Sequence, residues 1–139
     1  MLNNPLATTV IVALGLISLG GCGSPVNNRP ITVDELAIEV KDTSREVAYT
    51  NKQAGFFYTE TNAVHRNSWQ GWNVMAKEML EDYEIIDGEQ VLRKAGVTKA
   101  TVYPHQLART YPSGTRETLT LLDSVDAIVV QVQNLKGGP

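Results

Sequence analysis

Apolar and polar residues alternate along much of the chain, and this alternation predicts short β-strands. It is clear at Leu36, Ile38 and Val40 and again at Val47 and Tyr49. A period of two places one side of a strand on a core and the other side in water. Further apolar or aromatic segments extend the pattern over residues 56–58, 85–92, 98–103, 106–111, 115–122 and 127–132. Seven to nine short strands with regularly spaced turns predict a mainly β chain that folds as an antiparallel β-sandwich.

Turn residues separate these segments. Asp87-Gly88 stands between two apolar stretches, and this dipeptide accepts the positive φ angles of a tight turn, so it predicts a hairpin. Pro104 and Pro112 each close a predicted strand, because proline has no N–H to donate to a β-ladder.

The segment 72–83 follows a different spacing. Its apolar residues fall at i, i+3, i+4, i+7, i+8 and i+11, and they are Trp72, Met75, Ala76, Met79, Leu80 and Tyr83. Charged residues fill the opposite side, so the spacing predicts a short helix of about three turns. A strand is the alternative, although it would place charged Glu78 and Asp82 on the same face as Trp72.

The start of the chain has the features of an export signal. Val10 to Ser18 are uncharged and mostly apolar, a run too short to span a bilayer, which needs ~20 apolar residues, but typical of a secretory signal. Leu19-Gly20-Gly21-Cys22 follows and matches a lipidation box. The chain thus resembles a bacterial lipoprotein precursor, although residues 1–28 contain no Lys or Arg. A buried apolar strand ending in Gly-Gly is the alternative.

The resemblance implies that Cys22 is acylated, with palmitate as a typical chain, and that two or three acyl chains hold the protein on a membrane. We therefore expect a lipoprotein signal peptide over residues 1–21, a tether over 22–30, a β-sandwich domain over 31–135 and a linker or truncated end over 136–139. Gly23 occupies the position where an acidic residue would signal inner-membrane retention. The predicted location is the cell envelope, and the outer membrane if the source is Gram-negative.

Composition narrows the classes of partner. The formal net charge is −3, and no block of Lys and Arg is present to neutralise a row of phosphates, so nucleic acid is not expected as a partner. Cys22 is the single cysteine, which excludes a disulfide within the chain.

The sequence predicts no metal site, cofactor or catalytic residue. His65 and His105 lie far apart without cysteine or acidic residues at ligand spacing. The chain also has neither a Gly-x-Ser-x-Gly nucleophile turn nor a glycine-rich phosphate loop. Six carboxylates are candidates by type, but the sequence does not pair them: Glu60, Glu81, Asp82, Glu84, Asp87 and Glu117.

Trp69 and Trp72 are the candidate carbohydrate-binding residues. They lie three positions apart beside Gly71, and indole faces stack on the apolar C–H surfaces of sugar rings. Burial in the core is the alternative for both, since large aromatic side chains dominate the core of a small domain.

A series of aromatic and turn-rich motifs carries a second resemblance, which covers most of residues 36–133. The motifs are Ala48-Tyr49-Thr50-Asn51, Gly55-Phe56-Phe57-Tyr58, Trp69-Gln70-Gly71-Trp72, Asp82-Tyr83-Glu84-Ile85, the run 103–111 and the run 117–123. Their order resembles the N-terminal β-sandwich of glycogen debranching enzymes of the amylo-alpha-1,6-glucosidase type. In that family the sandwich precedes an α/α-barrel that holds the catalytic carboxylates, and the segment from Trp72 to Ile85 is extended.

This resemblance implies a non-catalytic accessory domain of a glycan-processing glycoside hydrolase. The domain would support folding and substrate placement, α-glucan would be its ligand, and the C-terminal catalytic domain that it implies is absent from this chain. No catalytic residue transfers from the family to this chain. The alternative is a small envelope lipoprotein, complete as it stands, that acts as a binding or structural module.

Overall fold

The computed structural model describes residues 29–41, 43–66 and 68–134. The chain divides into two units, residues 1–30 and 31–139, and the second unit contains all the strands and helices given below. The predictions for Cys22, for the signal peptide and for residues 136–139 lie outside the described residues.

Eleven strands follow one another along the described part of the second unit. They are β1 (Ile38–Val40), β2 (Glu46–Thr50), β3 (Gly55–Glu60), β4 (Gly71–Val74), β5 (Lys77–Leu80), β6 (Ile86–Asp87), β7 (Gln90–Val91), β8 (Lys99–Val102), β9 (Gln106–Thr110), β10 (Thr115–Leu121) and β11 (Ile128–Asn134). A 3-10 turn precedes β1 at Asp34–Leu36, and the single-turn helix α1 spans Leu92–Ala95. None of the helices in these described ranges is long and apolar enough to cross a membrane.

The strands form two large antiparallel sheets and one small one. The five-stranded sheet has the order β1-β8-β9-β10-β11, the four-stranded sheet has the order β2-β3-β4-β5, and β6 pairs with β7. The predicted fold class, mainly β with an antiparallel sandwich, is confirmed.

Side chains from both large sheets form the core between them. Phe57 of β3 clusters with residues of the other sheet, namely Ala100, Leu107, Leu119 and Leu121. Alternate residues of β10 are buried, as the period-two pattern predicts. Tyr49 of β2 adds a polar link, because its hydroxyl donates to the carbonyl oxygens of Tyr103 (3.0 Å) and Gln106 (2.7 Å) at the β8–β9 turn.

The helix predicted over residues 72–83 is wrong. The segment forms the β4–β5 hairpin, whose turn residues Met75 and Ala76 both have positive φ (50° and 58°). The two methionines that suggested an apolar helix face are largely exposed, Met75 at 76% and Met79 at 57%. Pairing of β4 with β3, which sets Trp72 opposite Phe57, overrides the local helical spacing.

Gly71 allows the two strands of this hairpin to approach each other. Its φ is +115°, and a Cβ atom built on it would lie 2.3 Å from the carbonyl oxygen of Leu80. A residue with a side chain does not fit this position.

The hairpin predicted at Asp87-Gly88 forms, with its loop one residue further on. Asp87 pairs with Gln90, so Gly88 (φ +63°) and Glu89 make the turn. The strand predicted through Leu92 is too long, because Leu92 begins α1, which ends before Gly96 (φ +80°). Leu92 is fully buried and anchors this turn. Leu36, predicted in a strand, ends the 3-10 turn instead.

Candidate functional site

A buried ion pair lies within the five-stranded sheet, and its arginine also reaches the four-stranded sheet. Arg109 of β9 lies directly opposite Glu117 of β10, and their side chains are 3% and 1% exposed. Nη1 of Arg109 lies 3.3 Å from each carboxylate oxygen of Glu117. Nη2 donates across the sandwich to Thr59 Oγ1 (2.8 Å) and to the carbonyl oxygen of Glu60 (2.5 Å). Arg109 therefore links β10 to β3.

Two tyrosines complete the surroundings of Glu117. The Tyr111 hydroxyl donates to one carboxylate oxygen at 2.6 Å, and the Tyr83 hydroxyl donates to the other. Burial, reinforced by the negative charge of Glu117, raises the pKa of both phenols above the ordinary value. Both hydroxyls therefore stay protonated and act as donors at neutral pH. Each oxygen of Glu117 accepts a tyrosine hydroxyl as well as the Arg109 bond.

A cavity of about 30 Å³ adjoins this network, with His65 and Arg93 in its lining. Such a volume holds about one water molecule, so it is too small for an organic substrate. His65 Nε2 and the Nε atoms of Arg93 and Arg109 are buried without a hydrogen-bond partner among the described residues. The cavity is thus polar and reaches the surface, because Glu81, Asp82 and Glu84 in its lining are exposed.

The other carboxylates considered as catalytic candidates mostly make structural contacts. Glu60 is 4% exposed, accepts the Ser44 hydroxyl and lies 3.9 Å from Arg66 Nε. Asp82 and Glu84 both pair with Arg93. These contacts hold loops and strand ends together.

Of the remaining two carboxylates and the two histidines, Glu81 and His65 line the cavity, whereas Asp87 and His105 do not. Asp87 accepts a hydrogen bond from Thr115 Oγ1 at 3.2 Å, and Glu81 is exposed. His105 is exposed with its ring centroid 6.1 Å from that of Tyr103, whereas His65 lines the cavity beside the Arg109–Glu117 pair. No group of three or more His, Cys, Asp or Glu residues within 29–41, 43–66 and 68–134 is arranged to hold a metal ion.

An aromatic groove lies on the outer face of the four-stranded sheet. Its volume is about 330 Å³, and Ala48, Phe56, Tyr58 and Trp69 line it. Trp69 is 72% exposed. Phe56 and Tyr58 flank Phe57 in β3, so they face away from the core that Phe57 enters. We call these four residues the aromatic groove.

The two strands beside β3 supply the neighbours of its outward aromatic rings. Tyr58 lies between Ala48 of β2 and Gly71 of β4, and Phe56 lies between Thr50 and Asn73. Trp69 enters from the loop between β3 and β4. Gln70, 3% exposed, fixes this loop by donating to the Val64 carbonyl oxygen (3.1 Å) and accepting the Arg66 N–H.

The structure places the two predicted sugar-binding tryptophans differently. Trp69 lies in the aromatic groove, whereas Trp72 is half-buried and packs against the core cluster, its Nε1 without a partner in the described part of the chain. Sequence reasoning did not identify Phe56 and Tyr58 as partners of Trp69. The alternation of the run 55–60 was the available signal, because it places Phe57 inward and its two aromatic neighbours outward.

Comparisons with known proteins give no relative: no protein-family model, curated protein or solved structure matches the chain significantly. Any functional interpretation therefore depends on the residues and geometry described above.

Proposed function

We propose that this chain is an exported, lipid-anchored β-sandwich that binds α-glucan through the aromatic groove and performs no chemistry itself. It would serve a glycan-processing hydrolase of the kind that its motifs resemble, supporting the fold and the placement of substrate. Cys22 would hold it on the membrane of the cell envelope. The observation that carries the proposal is the open grouping of Phe56, Tyr58 and Trp69 on one sheet face.

Glucan is the class of ligand that matches the aromatic groove. A pyranose ring presents apolar C–H faces and a polar rim, so it gains contact area by lying on an aromatic ring while its hydroxyls remain in water. Trp69 is 72% exposed, so its indole is accessible to a ligand. A surface with several rings also matches a chain of sugars better than a single sugar.

A non-catalytic role agrees with the contacts of the two buried carboxylates, Glu60 and Glu117. Glycosidases need a carboxylic acid and a second carboxylate facing the substrate. Here both oxygens of Glu117 accept hydrogen bonds in the interior, and Glu60 is held by Ser44 and lies near Arg66. The contacts of both carboxylates stabilise the fold.

Titration with maltooligosaccharides tests glycan binding. We expect the ligand to change the fluorescence of Trp69, and we expect calorimetry, which needs no indole, to show that Trp69→Ala weakens binding by at least about tenfold, equivalent to about 1.4 kcal/mol. Met75→Ala is the matched control, because Met75 is similarly exposed (76%) but lies at the β4–β5 turn, outside the groove. Absence of binding at millimolar ligand, or equal affinities for all three proteins, would contradict the proposal.

The anchor needs a separate experiment. Cys22→Ser should abolish incorporation of a labelled fatty acid in cells, because the thiol that accepts the lipid is removed. Labelling that persists in this variant would place the lipid elsewhere or show that the lipidation box is misread.

A further inference from the structure

Strand β11 forms a long open edge of the five-stranded sheet. It pairs with β10 over seven residue pairs without a register shift, and no described strand lies on its other side. At about 3.4 Å per residue this edge is roughly 24 Å long. Every residue of β11 after Ile128 is exposed.

The hydrogen-bonding pattern between β10 and β11 shows which backbone groups of β11 face outward. The Leu122 N–H donates to the Ala127 carbonyl oxygen (3.0 Å), so these two residues form a hydrogen-bonded pair. Hydrogen-bonded and non-hydrogen-bonded pairs then alternate along β10 and β11. Val129 and Gln131 therefore direct their peptide groups toward β10, whereas Val130 and Val132 direct theirs away from it. These outward donors and acceptors match another β-strand.

β11 also lacks the features that usually protect an edge strand. Proteins block open edges with charged residues, prolines, bulges or very short strands. The other outer strands of the two large sheets each carry charge, including Glu39 in β1, Glu46 in β2 and Lys77 in β5. The run 127–134 contains neither a charged residue nor a proline.

The side chains of this edge leave apolar surface exposed. Val130 and Val132 lie opposite Leu119 and Glu117, so they belong to the core side of the sheet. They are nevertheless 37% and 46% exposed. An added strand would cover part of this apolar surface.

We propose that β11 pairs antiparallel with β11 of a second copy of this chain. Centring the pair on Gln131 sets Val130 opposite Val132 and Val129 opposite Gln133, and it uses all seven residues. Two like charges never meet in this register, because the strand is uncharged. The same sequence thus supplies both sides, and a continuous ten-stranded sheet results.

The expected dimer is weak. A single strand edge buries less surface than the ~800 Å² per partner of a standard interface, so a covalent trap is more informative than gel filtration.

Cysteine crosslinking tests both the pairing and its register. The full chain carrying Cys22→Ser has no other thiol, and Gln131→Cys in that background sets the two new thiols opposite each other. Cα atoms of a non-hydrogen-bonded antiparallel pair lie about 4.5 Å apart, within disulfide reach. Val129→Cys is the matched control on the same strand and face, because its copies would be about 14 Å apart.

Mild oxidation should give at least about tenfold more disulfide dimer for Gln131→Cys than for Val129→Cys. Adding Val130→Lys to Gln131→Cys should reduce the dimer to the control level, since two lysines would approach each other near the two-fold axis. Equal yields from the two cysteine variants, no dimer from either, or a yield unaffected by Val130→Lys would overturn the proposal. A strand from another protein or from elsewhere in this chain would give one of these contrary results.

Discussion

Arg109 and Glu117 illustrate at the residue scale how a charged pair is accommodated in the core of this sandwich. The pair is almost completely buried, and every strong contact of Glu117 comes from Arg109, Tyr83 or Tyr111. A buried charge is costly unless it is paired and hydrogen-bonded. The four side chains therefore act as one unit in stabilising the fold.

Removing the charge of Glu117 should consequently destabilise the folded protein. We expect Glu117→Gln to lower the free energy of unfolding by about 3–5 kcal/mol, because Arg109 is left buried without its counter-charge. The double variant Arg109→Met/Glu117→Gln should recover part of this loss. Urea unfolding of the unchanged protein, of Glu117→Gln, of Arg109→Met and of the double variant measures the effect, and a double variant as unstable as the sum of the two single changes would refute the coupling.

The tyrosines predict a loss of stability at alkaline pH. Burial raises the pKa of Tyr49 to about 12, and the pKa values of Tyr83 and Tyr111 are also raised. Above the ordinary pKa of about 10 the unfolded chain loses phenolic protons that the folded chain keeps, so the free energy of unfolding falls as pH rises.

Each such tyrosine lowers the free energy of unfolding by up to about 1.4 kcal/mol per pH unit in this range. Urea unfolding at several pH values above about 9 should show this decline, and Tyr111→Phe should make it shallower. A stability that stays constant over that range would show that these phenols ionise equally in both states.

At the scale of elements, the β4–β5 hairpin shows where sequence patterns mislead. Residues 72–83 have helical spacing, yet the two turn residues adopt positive φ and the methionines face solvent. The deciding factors are non-local: β3 offers an edge to β4, and Gly71 permits close contact with Leu80. Neither factor is visible in a local hydrophobic period.

Substitution of two glycines should separate close packing from turn strain. Gly71→Ala should destabilise the protein by several kcal/mol, because the new Cβ would clash with the Leu80 carbonyl oxygen. Gly88→Ala should cost only about 1–2 kcal/mol, because its φ is positive but no atom lies within 4 Å. Similar losses measured by urea unfolding for the two variants would contradict the role given to Gly71.

At the scale of the whole molecule, alternation and apolar segments separated by turn residues were sufficient to predict an antiparallel sandwich. The apolar segments located β2, β3 and β8 to β11, but strict alternation of burial holds for β10 and not for β9, in which Leu107, Ala108 and Arg109 are all buried. The sequence could not predict the Arg109–Glu117 pair, which depends on the register between β9 and β10. Nor could it separate Trp69 from Trp72, because an outward loop and an inward strand follow each other directly.

Glycan binding at the aromatic groove is the central functional claim, and the two tryptophans provide a direct measurement. The chain has two indole N–H groups, so a nitrogen–proton correlation spectrum shows two indole signals, which Trp69→Phe assigns. Addition of maltooligosaccharides should shift the Trp69 signal and leave the Trp72 signal in place, because Trp72 packs against the core. If neither signal moves at millimolar ligand, or if the Trp72 signal alone moves, the aromatic groove is not an α-glucan site.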